Sequence, residues 1–386
     1  MQDQELTEDK IVKQPHRRRY LLWLLCIPVV VLVVVFFANL LNRYGQFDSY
    51  DVVDEFKVSS ASTLNYSEFN GGLVSYSQDG ASYLNNKGEA VWNEAYDMQS
   101  PKVRIAKQRM LIYDTKGTTM KILSPEKEEG EIQTNLPIVR ADVAADGTVA
   151  AMMQEGATGY LNVYKADGTQ LAQGQVHLAK TGYPLDLAIS EDGKRLAVSM
   201  ASVSKGQLTS TLNIYDFSEK GEGQRDNLVG TFQYTDGLCP EVEFFEDGSI
   251  VAYSNHKIHL IDASSKPEEI ETIKVKPEIK SVMTGDDAFG IIIDNDNNTE
   301  KYLQVFSESG KEKFKKKLDI SYTQCRFLTN GEILITNGEN LRVYNKLGRV
   351  RFSYDFSETL VSFLPTEGRQ EYLLITEGKC ERIRIQ

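Results

Sequence analysis

The stretch "FFEDGSIVAYS", residues Phe244–Ser254, decides the fold because its pattern recurs along most of this 386-residue chain. Each copy has an alternating segment, then Asp-Gly, Asn-Gly or a related pair, and then an apolar segment. Such pairs accept positive φ at low steric cost and are typical of β-hairpin turns. Clear copies are "VRADVAADGTVAAM", "LDLAISEDGKRLAVS" and "QCRFLTNGEILITN". The chain is therefore predicted to consist of repeated hairpins.

Two further marks accompany the hairpins. An aromatic residue is followed four positions later by glycine, which predicts the next outward turn. This mark occurs at Tyr113–Gly117, Tyr164–Gly168, Phe306–Gly310 and Tyr344–Gly348. Proline, which suits the entrance of a strand, recurs from Pro101 to Pro277 at intervals of 36, 47, 56 and 37 residues. This period is typical of the four-stranded blade of a β-propeller.

The repeat predicts an all-β, eight-bladed β-propeller, with seven blades as the alternative count. The last blade is short, and Glu55–Ser62 is expected to supply its missing outer strand, so that both chain ends close the ring. The predicted blades start near Leu64, Pro101, Pro137, Pro184, Pro240, Pro277, Tyr322 and Thr359.

The first part of the chain has a different composition. Residues 20–41 contain no charged side chain, and twenty-two residues at about 1.5 Å each span a hydrocarbon core of roughly 30 Å. Three arginines, Arg17–Arg19, precede this segment and one, Arg43, follows it, which favours a cytoplasmic amino terminus. A cleaved signal peptide is the alternative, but no small-x-small site follows. We predict a cytoplasmic tail (1–19), a transmembrane helix (20–41), a juxtamembrane linker (42–54) and an extracytoplasmic propeller (55–386).

Charge and cysteine content exclude several classes of function. After residue 43 the chain carries 37 Lys and Arg against 51 Asp and Glu, so nucleic acid is an unsuitable ligand for this acidic part. Three cysteines remain there, Cys239, Cys325 and Cys380, without the spacing of a metal or haem site. His256 and His259 lack a third ligand nearby in the sequence. No metal, cofactor or disulfide framework is predicted.

Several segments resemble known propeller families. The unit "YLNNKGEAVW" is similar to blades of the WD40-like and pyrroloquinoline-quinone-like superfamily. The amino-terminal anchor followed by "VWNEAYDMQSPKV", "LPIVRADVAADG" and "GYPLDLAISEDGKRLAVS" resembles a Firmicutes family of membrane-anchored β-propellers of unknown function. The resemblance implies the fold, the anchor and the lineage. It implies no activity.

Polar residues at alternate positions before the turn glycines are candidates for the lining of a central channel. Period two places them on one face of successive inner strands. They either hold a ligand or ion at the channel mouth, or pair with one another as buried charges must. These candidates are Arg140, Asp142, Asp186, Glu241, Glu243, Gln324 and Arg326.

The loops between second and third strands, together with the connections between blades, form a second candidate surface. Their lengths vary far more than those of the tight turns, which favours this rim as the surface for a partner. Tyrosines at a blade junction also serve as packing residues, which is the alternative interpretation. The rim candidates are Tyr96, Met98, Tyr183, Tyr234, Asp236 and Tyr322.

The residue types in these motifs indicate the class of function to expect. No nucleophile, base and metal ligands converge in the pattern, so we expect a non-enzymatic scaffold, held at the membrane, that binds a protein or a cell-envelope component. The alternative is a propeller enzyme that acts on envelope glycans, or a quinoprotein-like oxidoreductase. Trp92 is a lone tryptophan in this part of the chain, whereas a quinoprotein repeats a docking tryptophan in blade after blade.

Overall fold

In the computed structural model the chain divides into two units, residues 1–46 and 47–386. A helix covers residues 27–34 in the first unit. Among the described residues no helix is both long and apolar enough to cross a bilayer. Most of the predicted transmembrane segment 20–41 lies outside the described residues. The described residues are 27–34, 45–56, 64–178, 182–204, 206–219, 221, 223–235, 237–295, 297–368, 370–377 and 379–386.

The second unit is an eight-bladed propeller of four-stranded antiparallel sheets, as predicted, and the seven-bladed alternative is wrong. Blades are numbered here in chain order. Blade 1 is β2–β5 (Asn65–Phe69, Gly72–Tyr76, Gly80–Leu84, Ala90–Ala95) and blade 2 is β6–β9 (Pro101–Ala106, Arg109–Asp114, Thr119–Leu123, Glu128–Gln133). Blade 3 is β10–β13 (Ile138–Val143, Val149–Glu155, Thr158–Tyr164, Gln170–His177). Blade 4 is β14–β17 (Tyr183–Ile189, Arg195–Ser204, Gln207–Asp216, Leu228–Tyr234), with a 3₁₀ turn at Arg225–Asn227.

The remaining blades follow the same order. Blade 5 is β18–β21 (Glu241–Phe244, Ile250–Tyr253, Lys257–Asp262, Glu268–Lys274). Blade 6 is β22–β25 (Ile279–Thr284, Ala288–Asp294, Lys301–Ser307, Glu312–Lys317). Blade 7 is β26–β29 (Gln324–Phe327, Ile333–Thr336, Asn340–Tyr344, Val350–Asp355). Blade 8 is β30–β32 (Leu360–Pro365, Glu371–Thr376, Lys379–Ile385) together with β1 (Tyr50–Phe56). All eight blades begin within two residues of the predicted starts.

Both chain ends close the ring, as the sequence predicts, because β1 pairs with β32 as the outer strand of blade 8. The closing strand is Tyr50–Phe56 and shares only Glu55 and Phe56 with the predicted segment Glu55–Ser62, whose other residues lie outside the described residues. The last five residues of the predicted linker 42–54 therefore lie in strand β1 of the propeller. Ser49 and Gln386 exchange two backbone hydrogen bonds beside this ladder.

The core lies between neighbouring blades. Leu111 of blade 2 and Val149 of blade 3 are fully buried in one cluster, for example, and each sheet is covered by its neighbours on both sides. Turns between third and fourth strands pack on the preceding blade, and a Cβ at Gly348 would lie 2.5 Å from the ring of Phe314. This contact explains the aromatic-to-glycine mark. The mark at Tyr113–Gly117 is an exception, because Gly117 lies in the loop between the second and third strands of blade 2, β7 and β8.

The propeller has two different ends. We call the end with the turns between first and second strands, such as 144–148 and 245–249, the tight-turn face. The opposite end carries the second-to-third-strand loops, such as 337–339, and the blade connections, such as 318–323, and we call it the loop-bearing face. Ile385, beside the point of chain entry, donates its N–H to Gln370 in a first-to-second-strand turn (3.0 Å). The chain therefore enters the propeller at the tight-turn face.

Candidate functional site

A cavity of about 940 Å³ occupies the central channel. It is lined by the first strands of the blades and by the turns that follow them. Acidic groups outnumber basic ones among the described lining residues of this cavity. The acidic lining residues are Glu68, Asp142, Glu191, Glu241, Glu243, Glu246, Asp286 and Glu367, and the basic ones are Arg104, Lys107 and Arg326.

Two cations of blade 2 cross the channel. Arg104 of β6 lies 3.5 Å from Glu243 of blade 5 and 3.9 Å from Asp186 of blade 4, measured between guanidinium nitrogens and carboxylate oxygens. Lys107, in the next turn, pairs with Glu191 and, at 3.0 Å, with Glu246. These pairs join blades that are not neighbours in the ring, so they cross the channel from blade 2 to blades 4 and 5.

Two aspartates connect neighbouring inner strands. Asp142 Oδ2 accepts a hydrogen bond from the backbone N–H of Ile189 (3.0 Å), and Asp186 Oδ2 accepts one from Val242 (3.1 Å). Each carboxylate therefore satisfies a backbone donor of the next blade that the strand ladder leaves free. Arg140 approaches Asp186 at 3.8 Å and adds a second cation to that carboxylate.

Burial changes the ionisation of the channel carboxyls. Loss of solvent raises the pKa of Glu243 to about 8, although Arg104 opposes the shift, while Asp142 and Asp186 add to it. Loss of solvent also raises the pKa of Glu241 to about 7 and that of Glu68 to about 7. The channel therefore exchanges protons near neutral pH.

The structure brings most of the predicted channel residues together. Asp142, Glu241, Glu243 and Arg326 line the cavity, and Arg326 donates to the carbonyl of Phe363 in the next blade (3.0 Å). Arg140 and Asp186 join the ion-pair cluster beside it. Gln324 is exposed and is not part of the cavity lining.

Sequence reasoning missed Glu68, Arg104 and Lys107, because candidates were taken five and seven positions before a turn glycine, and Glu68 lies only three positions before Gly71. Blade 2 has no glycine in its first turn, where Lys107 itself adopts a positive φ of 49°. The alternation of polar and apolar residues from Lys102 to Ile105 is the signal that separates Arg104 from Val103 and Ile105 on the two faces of β6.

The predicted rim residues have different environments. Met98 and Tyr234 are buried, and Tyr234 stacks on His259 with ring centroids 3.9 Å apart. Tyr96 and Tyr322 are half-buried, and Tyr322 shares a hydrogen bond with Ser281 (2.8 Å). These four side chains have packing contacts. Tyr183 is exposed, and Asp236 lies outside the described residues.

A serine, a histidine and a glutamate meet in blade 5. Ser254 Oγ lies 3.2 Å from His259 Nε2, and Glu269 Oε2 lies 3.5 Å from His259 Nδ1. The order of groups is that of a hydrolytic triad, but Ser254 and His259 are only 7% and 3% exposed, so a substrate has no access to them. Within the described ranges no group of three His, Cys, Asp or Glu residues is arranged to hold a metal ion.

The loop-bearing face carries an exposed apolar surface on blade 4. Strands β15 and β16 are ten residues each and pair along their whole length, from Arg195 opposite Asp216 to Ser204 opposite Gln207. Val203 and Leu208 face each other near the tip and are 70% and 56% exposed. Tyr183 pairs with Ala201, two residues before Val203, and is 59% exposed on the same side of the sheet. We call Tyr183, Val203 and Leu208 the blade 4 patch.

Comparisons with known proteins agree with this fold. A family model described as "Family of unknown function (DUF5711)" matches residues 43–385. No curated protein matches the chain. Sqt1 from Chaetomium thermophilum is similar in structure, with a TM-score of 0.58 and 11% identity over 88% of this chain and 99% of that one. BamB from Moraxella catarrhalis has a TM-score of 0.52 and 13% identity over 87% and 100%. At these identities the likeness concerns the fold alone.

Proposed function

Since the chain belongs to this family of unknown function, its role rests on its own surfaces, and we propose that it is a non-enzymatic binding scaffold. Its loop-bearing face holds a protein or a protein-bearing component of the cell envelope. The blade 4 patch is the observation that carries this proposal, because it combines three large exposed side chains on one side of the blade 4 sheet. Exposed apolar clusters of this kind mark interaction sites.

The position of the patch suits a partner. It lies on the end of the propeller opposite to the point where the chain enters. The hairpin has a complete ladder down to the pair Ser204 and Gln207, so it presents its apolar residues on a rigid support. Tyr183 adds a side chain with an apolar ring and a polar end, which is common in binding interfaces.

We also propose that residues 20–41 anchor the protein in the cytoplasmic membrane, with the propeller on the extracytoplasmic side. The uncharged length of this segment and the arginines before it support the proposal. The full-length chain is then expected to stay with membranes after an alkaline wash, and a variant without residues 20–41 is expected to be released. Protease added to cells without a wall should degrade the propeller, and protection of the propeller would contradict this orientation. A Firmicutes origin stays a prediction from the resemblance.

The scaffold proposal is tested by recovering the full-length chain from native membranes and identifying the proteins that accompany it. We expect the double substitution V203S/L208S to reduce the partner at least fivefold. The matched control is Ile270→Ser in the outer strand of blade 5, because Ile270 is also 59% exposed but lies away from the loop-bearing face. Equal recovery of the partner with both variants, or recovery of no partner with the unsubstituted chain, would reject the proposal.

A further inference from the structure

The outer strand of blade 3 differs from most other outer strands in its lack of charge. Strand β13 (Gln170–His177) reads QLAQGQVH and contains no Asp, Glu, Lys, Arg or Pro. Charged side chains and proline are the usual protection of an exposed strand edge. The outer strands β1, β5, β9, β21, β25 and β29 each contain charged residues. Strand β13 is therefore a poorly protected edge.

Strand β17 is also uncharged, but its middle is covered. A Cβ at Gly230 would lie 2.9 Å from Pro267 of the next blade. At Gly174, in the middle of β13, the Cβ position is within 4 Å only of Leu161 from the same blade. Among the described residues the next blade therefore does not cover the face of β13 at Gly174 as it covers that of β17 at Gly230.

The free edge of β13 offers backbone groups in a regular order. Leu178 donates its N–H to Ala157 on the blade 3 side (3.0 Å), and the antiparallel ladder continues from there with Thr158 opposite His177. Since backbone groups alternate in direction along a strand, those of Gln173 and Gln175 point away from β12. An added strand could bind these groups without any change in the blade.

The same molecule shows that an outer strand accepts such an addition. Phe47 lies beside β29 in parallel, donates its N–H to Arg351 (2.8 Å) and accepts from Ser353 (3.0 Å). This segment covers the edge of blade 7 in the way that a partner strand would cover the edge of blade 3.

We propose that two copies of this chain pair edge to edge through β13, in antiparallel orientation around Gly174. In this register Gln173 exchanges both backbone hydrogen bonds with Gln175 of the other copy. Gly174 of one copy then lies opposite Gly174 of the other. Ala172 then faces Val176, and the glutamine side chains face each other, so no like charges meet. The same self-pairing of β25, EKFKKK, would place lysines against lysines. The pairing joins two four-stranded blades into one eight-stranded sheet and is independent of the loop-bearing face.

The test uses the full-length chain in its membrane and the variant Gly174→Cys. Residues opposite each other in a non-hydrogen-bonded pair have Cα atoms about 4.5 Å apart, which suits a disulfide. A Cβ at Gly174 meets ordinary contacts only, at 3.7 Å or more, and the residue has no positive φ, so the variant should fold. The control is Gln233→Cys on the other uncharged outer strand, β17. Mild oxidation is expected to give at least fivefold more dimer with Gly174→Cys than with Gln233→Cys or the unsubstituted chain.

A second substitution in the Gly174→Cys chain tests the hydrogen bonds. Gln175→Pro removes an outward N–H that β12 does not use, and it is expected to reduce the dimer at least fivefold. Gln175→Ala keeps this N–H and should leave the yield unchanged. Gln173→Lys keeps the backbone and adds like charges, so it should reduce the yield as well. Equal cross-linking of the two cysteine variants, cross-linking to a different protein, or an undiminished yield with both Gln175→Pro and Gln173→Lys would overturn the proposal.

Discussion

Replacing Glu243 by glutamine should make the stability of the propeller less dependent on pH. Loss of solvent around this carboxyl raises its pKa to about 8 from the ordinary value of 4.5, with Arg104 opposing the shift. The folded protein therefore binds this proton more tightly than the unfolded chain does. The resulting stabilisation is fully present below about pH 4.5 and is lost as the pH rises through about 8. Glutamine has no proton to lose, so the variant should escape this loss.

The size of the effect follows from the shift and from the surroundings of the carboxyl. At about 1.4 kcal/mol for each pKa unit, the shift sets an upper bound of about 5 kcal/mol. The side chain keeps 29% of its exposure towards the channel. Water in the channel screens the charge, so we expect about 1 to 2 kcal/mol in favour of the variant above about pH 8. At about pH 4.5 the two proteins should be equally stable within about 0.5 kcal/mol.

The assay is urea unfolding of the purified chain at steps from about pH 4.5 to about pH 8.5. Glu246→Gln is the matched control, because it removes a carboxylate from the same blade whose side chain is 62% exposed and pairs with Lys107. The pH-dependent gain in stability expected for Glu243→Gln should exceed any change that this control shows. Some slope should remain in Glu243→Gln, since Glu241 and Glu68 also have pKa values raised to about 7 by loss of solvent. A difference between Glu243→Gln and the unsubstituted chain that is constant with pH would refute this reasoning.

Two further substitutions test ring closure and the core between blades. Gly88→Ala should destabilise the propeller by about 3 kcal/mol, because φ is +79° and a Cβ would lie 2.1 Å from the ring of Phe56 in the closing strand. Gly156→Ala, with φ +56° and open space, should cost only about 1 kcal/mol in the same urea titration, and equal costs would contradict the packing argument. Phe352→Ala should cost about 3 to 5 kcal/mol, because this fully buried ring stacks between blades on Phe363 at 5.8 Å. Leu347→Ala at an exposed site should change the urea midpoint little, and a similar loss at both sites would argue against a core between blades.

The repeat could be predicted because each of its marks is a local requirement. The turn glycines Gly147 and Gly248 adopt φ of +87° and +83°, where residues with a Cβ are strained. Where a residue other than glycine adopts the positive φ of the turn, counting positions back from a turn glycine does not find the inward-facing residues. Lys107 takes the positive φ in blade 2, so Arg104 was missed although it carries the central ion pairs. The rim tyrosines show the same limit, since Tyr183 is exposed and Tyr234 is buried although both flank blade connections.

The sequence by itself determined the hairpin repeat and the alternation of inward and outward side chains, because these depend on neighbours in the chain, whereas the structure decided between eight blades and seven. Only the tertiary structure decided which inward side chains meet. Arg104 reaches Glu243 and Asp186 across the channel because eight blades set its width and the order of blades sets which strands face each other. The pKa of Glu243 has the same origin, since loss of solvent is a property of the closed ring rather than of any single strand.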